Sequence, residues 1–545
     1  QLILGKIYYS GEYVSQDIKK SINYLILAAG QNNSEAQLLL GKIYFLDKNI
    51  ERDINKATYY LTLSANQNNS DAQFLLGEIY LYNEQDINKS IYYFTLSANQ
   101  NNPNAQYRLG YLYHSGKLVG KNINKAIYYY TLSANQNNSD AQFMLSYLYL
   151  FENSFDQDNN KSIYYLTLSA NQNNSYAQYF LGKLYYSGKL VGKNINKSIY
   201  YLTLSANQNN SDAQYCLGEI YYSGQLIQRD IDKAIQYFTL SANQNKPEAQ
   251  LALGKIYLNG YYIEKDVHKA IHYLTLSANQ NNSYAQFSLA SIYYSGELVP
   301  RNISKVIHYM TLSANQNNPK AQYQLGNFYY SGGIVQRDIN KAIYYYTLSA
   351  NQNDTNALNQ LGILYYSGDE ITKDINKAIH YFTLSAKLNN SNAQAFLGNL
   401  FYYGFYIPKD INRSIYYLTL AANQNNGYSQ FLLGVIYASI DIKKSIYYLT
   451  LAANQYISEA DLILGDIYQN GEFIEMDIKK AIYHYTRAAN QNNSSAQYNL
   501  GTIYIENVFV PRDVKKAIKY FTQSAKLNND QSQYALGCIY SSDKL

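Results

Sequence analysis

The sequence predicts an all-α protein, an α/α solenoid of about fifteen two-helix repeats of 36 residues. Three observations carry that prediction. The segment A-Q-Y/F-x-L-G-x-I/L-Y recurs along the whole chain, and its Gly serves as an anchor. The anchors are Gly5, Gly41, Gly77, Gly110, Ser146, Gly182, Gly218, Gly254, Ala290, Gly326, Gly362, Gly398, Gly434, Gly465, Gly501 and Gly537, so thirteen of fifteen intervals are 36 residues and the others 33 and 31. Between anchors, apolar residues recur at helical spacing. All six prolines fall in two loop-or-cap slots, and none breaks a helix. A length of 545 residues by itself suggests three or four domains, and the repeat replaces that count with one continuous array.

Each repeat reads as two helices. The first carries Ala177, Leu181, Gly182 and Tyr185 as an apolar stripe. The second starts at a residue twelve past most anchors, illustrated by Asp230, with Ile235, Phe238 and Ala242 on one side. That start is Asp in twelve repeats and Asn (Asn122, Asn194, Asn302) in three. Both are good N-caps, because the side-chain oxygen accepts from free backbone N–H groups. Pro103, Pro247 and Pro319 replace the Ser of N-N-S at the first helical position, which suits proline. Pro300, Pro408 and Pro511 sit two residues before the second cap, in the loop. From that cap to the next anchor the spacing is always 24, so both short intervals place their deletions in the loop between first and second helices, near 81–85 and 438–440.

Composition excludes several classes. A net charge of +5 is too small for a polybasic protein, and Cys216 and Cys538 cannot make a disulfide scaffold. No apolar run is long enough to span a membrane. The 66 Tyr are chiefly a few structural columns multiplied by the repeat.

The pattern A-x-x-x-L-G-x-x-Y-x-x-G-x-x-V-x-x-D-x-x-K-A-x-x-Y-x-x-x-A-A resembles the SEL-1-like repeat family of the tetratricopeptide-like clan. Ala213, Leu217, Gly218, Tyr221, Gly224, Asp230, Lys233, Ala234, Tyr237 and Ala242 show it in one repeat. The loop Gly is missing near 47, 83, 154 and 439. The resemblance implies a right-handed superhelix that serves as an adaptor or scaffold, with no chemistry of its own, no cofactor and no metal. SEL-1-like arrays also occur as appendages of enzymes such as protein kinases. A regulatory array whose catalytic domain lies N-terminal to residue 1 is therefore the alternative. The chain starts at the counterpart of Gln37 and stops at the counterpart of Leu190, so it is expected to be truncated within a repeat at both ends. A monomeric array in the cytoplasm is expected, with a lumenal location left open.

The repeats supply their own comparison. Ala closes the second helix in all fifteen, and Tyr follows the anchor by three in fifteen of sixteen. Variation concentrates on the first helix at six and two before the anchor and one after it, offsets that share a face. This stripe contains Asn104, Arg108, Tyr111, Tyr147, Tyr176, Phe180, Lys183, Glu219 and Lys255, and further on Tyr284, Lys320, Gln324, Asn327 and Gln360. In tetratricopeptide-like solenoids the first helix lines the concave groove. The resemblance therefore makes these residues the candidates for binding a protein or peptide segment.

Other motifs point less far. A basic residue stands three past every second cap, Lys in fourteen repeats and Arg413 in one, but interleaved Asp makes this a ladder of alternating sign. RNA reading by stacked Tyr is not expected, because the Tyr columns keep helix-core spacing. His268 and His272 lie i, i+4 with no Cys or carboxylate set to complete a metal site. Gly182-x5-Gly188-Lys189-Leu190 has one residue too many for a phosphate loop and follows a helix. The N-N-S turns at Asn68, Asn137, Asn173, Asn209 and Asn281 match the glycosylation acceptor pattern, and equally what a helix start selects.

Overall fold

A computed structural model describes residues 1–83, 85–152, 157–472, 474–506 and 508–541. Glu84 in the first shortened loop, the position near 154 that lacks a loop Gly, and the terminal 542–545 lie outside the described residues. The described chain is all-helical: thirty-one α-helices, from Leu2–Ser10 to Asp530–Ser541, alternate as first and second members of pairs and build a solenoid. It comprises two compact units, 1–277 and 278–545.

Local chemistry fixes both ends of most helices. Asp230 caps Ile231–Asn243 by accepting from the Lys233 backbone N–H, and Asn122, Asn194 and Asn302 cap their helices the same way. The backbone hydrogen bond from Lys233, with its side chain acting secondarily, holds the Asp230 carboxyl below the usual carboxylate range. Pro103, Pro247 and Pro319 each occupy the first turn of a first helix. The first helix ends at a left-handed glycine in ten repeats, for example Gly188 at φ 70. The turn between repeats instead uses asparagine at φ near 60, as in Asn68 and Asn209. Tyr456 occupies this left-handed site at φ 62, an unfavourable conformation for a bulky side chain.

In the repeats with shortened loops, Ser70–Tyr82 is followed by Ile87–Asn99 and Gly427–Tyr437 by Ile442–Ala453. The turn between repeats keeps its length because it sets how one pair stacks on the next.

The anchor marks the closest approach within each pair. A Cβ at Gly218 would lie 2.6 Å from two ring carbons of Phe238, and one at Gly41 2.4 Å from Leu61 Cγ. Core residues continue from one pair to the next: Ala57, Leu61 and Ala65 pack with Ala72, Leu76 and Ile79. The anchor-plus-three Tyr is a stacking partner, since Tyr221 lies parallel to Tyr237 with ring centres 5.9 Å apart. Lys233 covers the Tyr221 ring at 5.2 Å and meets Asp230 at 3.2 Å. The basic ladder is thus locally paired here. Exposed surface pairs of this kind contribute little stability.

A buried glutamine column ties repeat to repeat. Gln73 Nε2 donates to the carbonyl of Ala65 in the preceding repeat at 3.2 Å. Its Oε1 accepts from Gln100, past the second helix of its own repeat, at 2.7 Å. Gln106 with Gln136 and Gln178 with Gln208 repeat the pair in the first unit, and Gln322 with Gln352 and Gln394 with Gln424 in the second. One repeat replaces both partners with Leu358 and Leu388. In another only one changes: Leu527 stands opposite Gln497, whose buried Oε1 has no partner. Leaving one member unpaired costs more than replacing both. Gln322→Leu is therefore expected to cost about 1–2 kcal/mol and Gln322→Leu with Gln352→Leu distinctly less, as read by amide hydrogen exchange across 319–354 in a double-mutant cycle.

Candidate functional site

The variable stripe lies on the solvent side of the first helices. Anchor-minus-two, anchor-minus-six and anchor-plus-one alternate with Ala, Leu and Gly positions that are buried in every first helix from Ser34–Leu46 to Ser494–Glu506. Asn104, Tyr111, Tyr147, Tyr176, Lys183, Glu219, Lys255, Tyr284 and Lys320 are exposed, whereas Arg108, Phe180, Gln324, Asn327 and Gln360 are half-buried.

In the first unit, several stripe charges meet an opposite charge on an adjacent first helix. Arg108 reaches Glu78 at 2.8 Å, and burial pushes the Glu78 carboxyl up while the Arg108 charge opposes it. Lys6 pairs with Glu35, and Lys42 with Asp71 at 3.6 Å. Lys246 meets Asp212 at 2.7 Å. Burial raises the Glu219 carboxyl, and the Lys255 charge acts the other way. Asn138 donates to Asn104 at 3.4 Å.

Between these pairs the stripe is aromatic. Tyr147 rests against Phe151 at 5.1 Å, and Phe143 touches both Tyr176 at 6.2 Å and Phe180 at 5.6 Å. Tyr111, one repeat earlier, is exposed. Phe180, Lys183 and Glu219 come together around a cavity of about 590 Å³, together with Phe151, Leu184, Leu190, Cys216 and Ile220. Burial pushes the Cys216 thiol up to about 11, despite the opposing charge of Lys183. It therefore lines the cavity as a small apolar group rather than a thiolate.

The second unit uses amides. Asn327 accepts from the Tyr346 hydroxyl at 2.8 Å and donates to Gln324 at 3.4 Å. At the equivalent position two pairs of repeats later Asp466 accepts from the Tyr485 hydroxyl at 2.6 Å. In these two repeats the anchor-plus-one residue supplies the acceptor that a buried Tyr hydroxyl needs, so Asn327 is engaged internally, whereas the buried Tyr130 hydroxyl, in the repeat of Tyr111, has no partner. Tyr284, Lys320 and Gln360 lie on separate first helices of this unit.

Sequence reasoning did not single out Phe151, Leu184 or Leu190. Phe151 occupies the place of Ser187 in the neighbouring repeat, and a ring where most repeats carry Ser or Asn is the signal that could have found it. His268 and His272 are both exposed, and His272 packs edge-on against Tyr273. Among the described residues no group of three or more His, Cys, Asp or Glu is placed to hold a metal ion. No described helix is long and apolar enough to cross a membrane.

Helix pairs on one repeating joint, with a uniform core and a changing outer stripe, define a repeat scaffold. The Sel1 repeat model matches fifteen successive segments, from 1–33 to 494–529. The chain belongs to the Sel1-repeat family, a non-catalytic scaffold family whose members generally mediate protein interactions. Among solved structures it is similar to a protective antigen of uropathogenic Escherichia coli strains displaying an SLR fold, with 26% identity over 74% of this chain and 88% of that one and a TM-score of 0.57. A Sel1 repeat protein from Oxalobacter formigenes is 27% identical over 56% of this chain and 90% of its own, with a TM-score of 0.49. No curated protein matches.

Proposed function

We propose that this chain is a non-catalytic adaptor that holds an extended or helical segment of a partner protein along a concave groove floored by its first helices. The observation that carries this reading is the division of labour between columns. Positions that join repeats are nearly constant, while the outward first-helix stripe changes from repeat to repeat. Helix contacts support the inner placement of that stripe: where next-but-one helices touch most extensively, they are pairs of first helices, Ser34–Leu46 with Ser70–Tyr82 in the first unit and Ser391–Tyr403 with Gly427–Tyr437 in the second. A solenoid of this kind offers an extended surface on which a partner helix or strand segment can lie.

Changing Arg108→Gln, Phe180→Ser and Lys183→Glu together is expected to reduce partner recovery at least tenfold in affinity capture from host lysate, with helicity by circular dichroism unchanged. Undiminished recovery of the same partners would remove the groove assignment.

A further inference from the structure

The cavity around Phe180 differs from the rest of the first unit's stripe in shape, exposure and charge. Its volume, about 590 Å³, lies in the range of sites that enclose a bulky group. Its lining from Phe151, Phe180, Leu184, Leu190, Cys216 and Ile220 is apolar. Phe151 remains 49% exposed and Tyr176 58% exposed. Neighbouring aromatic surface of this kind gains stability when a partner covers it.

The charges at its edge are unbalanced. Lys6, Lys42, Arg108 and Lys246 each have a carboxylate on an adjacent first helix. Glu219, the one carboxylate on the lining, faces the charge of Lys255. Lys183 and Lys189 also line the cavity and are exposed, and among the described residues neither has an ion pair. An apolar hollow bordered by two ammonium groups without a carboxylate partner, Lys183 lying 5.4 Å over the Tyr179 ring, complements a bulky apolar side chain with carboxylates beside it.

We propose that this cavity anchors an acidic segment of a partner protein, taking an aromatic or large aliphatic side chain between the helices Ser139–Phe151, Ser175–Ser187 and Ser211–Ser223, with neighbouring Asp or Glu side chains reaching Lys183 and Lys189. The proposal rests on the groove reading and deepens it by giving the partner's chemistry. The cavity binds the anchor by burial, and the lysines select against basic segments.

Fluorescence anisotropy on the full chain tests this with labelled, terminally blocked peptides. The probe is Asp-Glu-Asp-Phe-Leu-Asp-Glu-Asp. One control replaces Phe-Leu with Gly-Gly, and the other replaces every acid with Lys. Saturable binding of the probe is expected, at least tenfold tighter than either control. It should weaken at least tenfold in the Lys183→Glu, Lys189→Glu double variant and in Cys216→Trp, which fills the hollow. If Cys216→Trp does not fold, the double lysine variant, altered only at exposed positions, decides. Absence of saturable binding, equal binding of a control, equal or tighter binding of an oligothymidine strand, or full affinity in the lysine variant overturns the proposal. Partner capture that depends on Arg108 and Phe180 but survives Lys189→Glu and Cys216→Trp would remove the pocket and retain the groove.

Discussion

Asp461→Ala is expected to destabilise its region by about 3 kcal/mol, at the lower end of the cost of breaking a buried ion pair because one cation reaches water. Asp461 is 0% exposed and stands in the glutamine column. Its Oδ1 lies 2.9 Å from His484 Nδ1 and its Oδ2 3.4 Å from Arg487 Nε. His484 replaces the stacking Tyr of other repeats and keeps the stack on Tyr468 at 5.7 Å, while Arg487 replaces Leu and donates to the Ala453 carbonyl at 2.6 Å. Three columns therefore depart together. Removing only the carboxylate strands two groups that were chosen for it. Restoring all three, Asp461→Gln, His484→Tyr and Arg487→Leu, is expected to recover at least the original stability, since a buried ionic cluster exchanged for well-packed neutral residues is often neutral or stabilising. Gln491 is in place to re-form the amide pair. Because repeat arrays unfold in parts, amide hydrogen exchange across 458–493 is the measurement. Unchanged protection in Asp461→Ala would contradict the account.

Gly218→Ala is expected to cost about 1–3 kcal/mol, the usual penalty for overfilling a packed site, even though Ala favours helix over Gly. The new methyl would be driven into the Phe238 ring. The chain contains its own remedy: where Ala290 replaces the anchor glycine, the facing residue is Met310 rather than Leu, Phe or Tyr. Methionine is unbranched and adaptable. Gly218→Ala with Phe238→Met should therefore be more stable than Gly218→Ala alone. Gly30→Ala is the internal control, since Gly30 closes the helix Ile18–Gly30 and nothing lies within 4 Å of a Cβ there, and only the helix preference remains. It should be neutral or slightly stabilising by hydrogen exchange or thermal melting.

The helices and their ends were legible in the sequence because they depend on neighbours close in the chain. Asp and Asn caps, proline slots and the apolar stripe each act within a turn or two. The anchors were legible because they recur. Interactions between columns some 30 residues apart were harder to read. Gln73 and Gln100 are conspicuous singly as constant residues, yet only the fold shows that they hold one another. The linked exceptions Leu358 with Leu388, and Asp461 with His484 and Arg487, were the available clue. On the site, the spacing grouped the stripe on one face of the first helix, but the sequence did not separate Tyr176, turned to solvent, from Asn327, recruited by the Tyr346 hydroxyl. Phe151 and Leu190 were hidden because they come from a helix end and a loop, outside the chosen periodicity.

The glutamine joint also bears on heredity. Because the amide donor of the joint is written at the start of a repeat and its acceptor, the closing Ala carbonyl, at the end of the second helix of the repeat before, each repeat carries a plug and a socket of the same design. A recombination event that inserts or excises one whole 36-residue repeat rejoins a plug to an equivalent socket, with the left-handed asparagine turn already in register. Copy number can drift in such a gene while every junction stays chemically intact. Each added copy brings a fresh triplet of outward residues, so new binding specificity can be acquired by tiling, without redesign of the core.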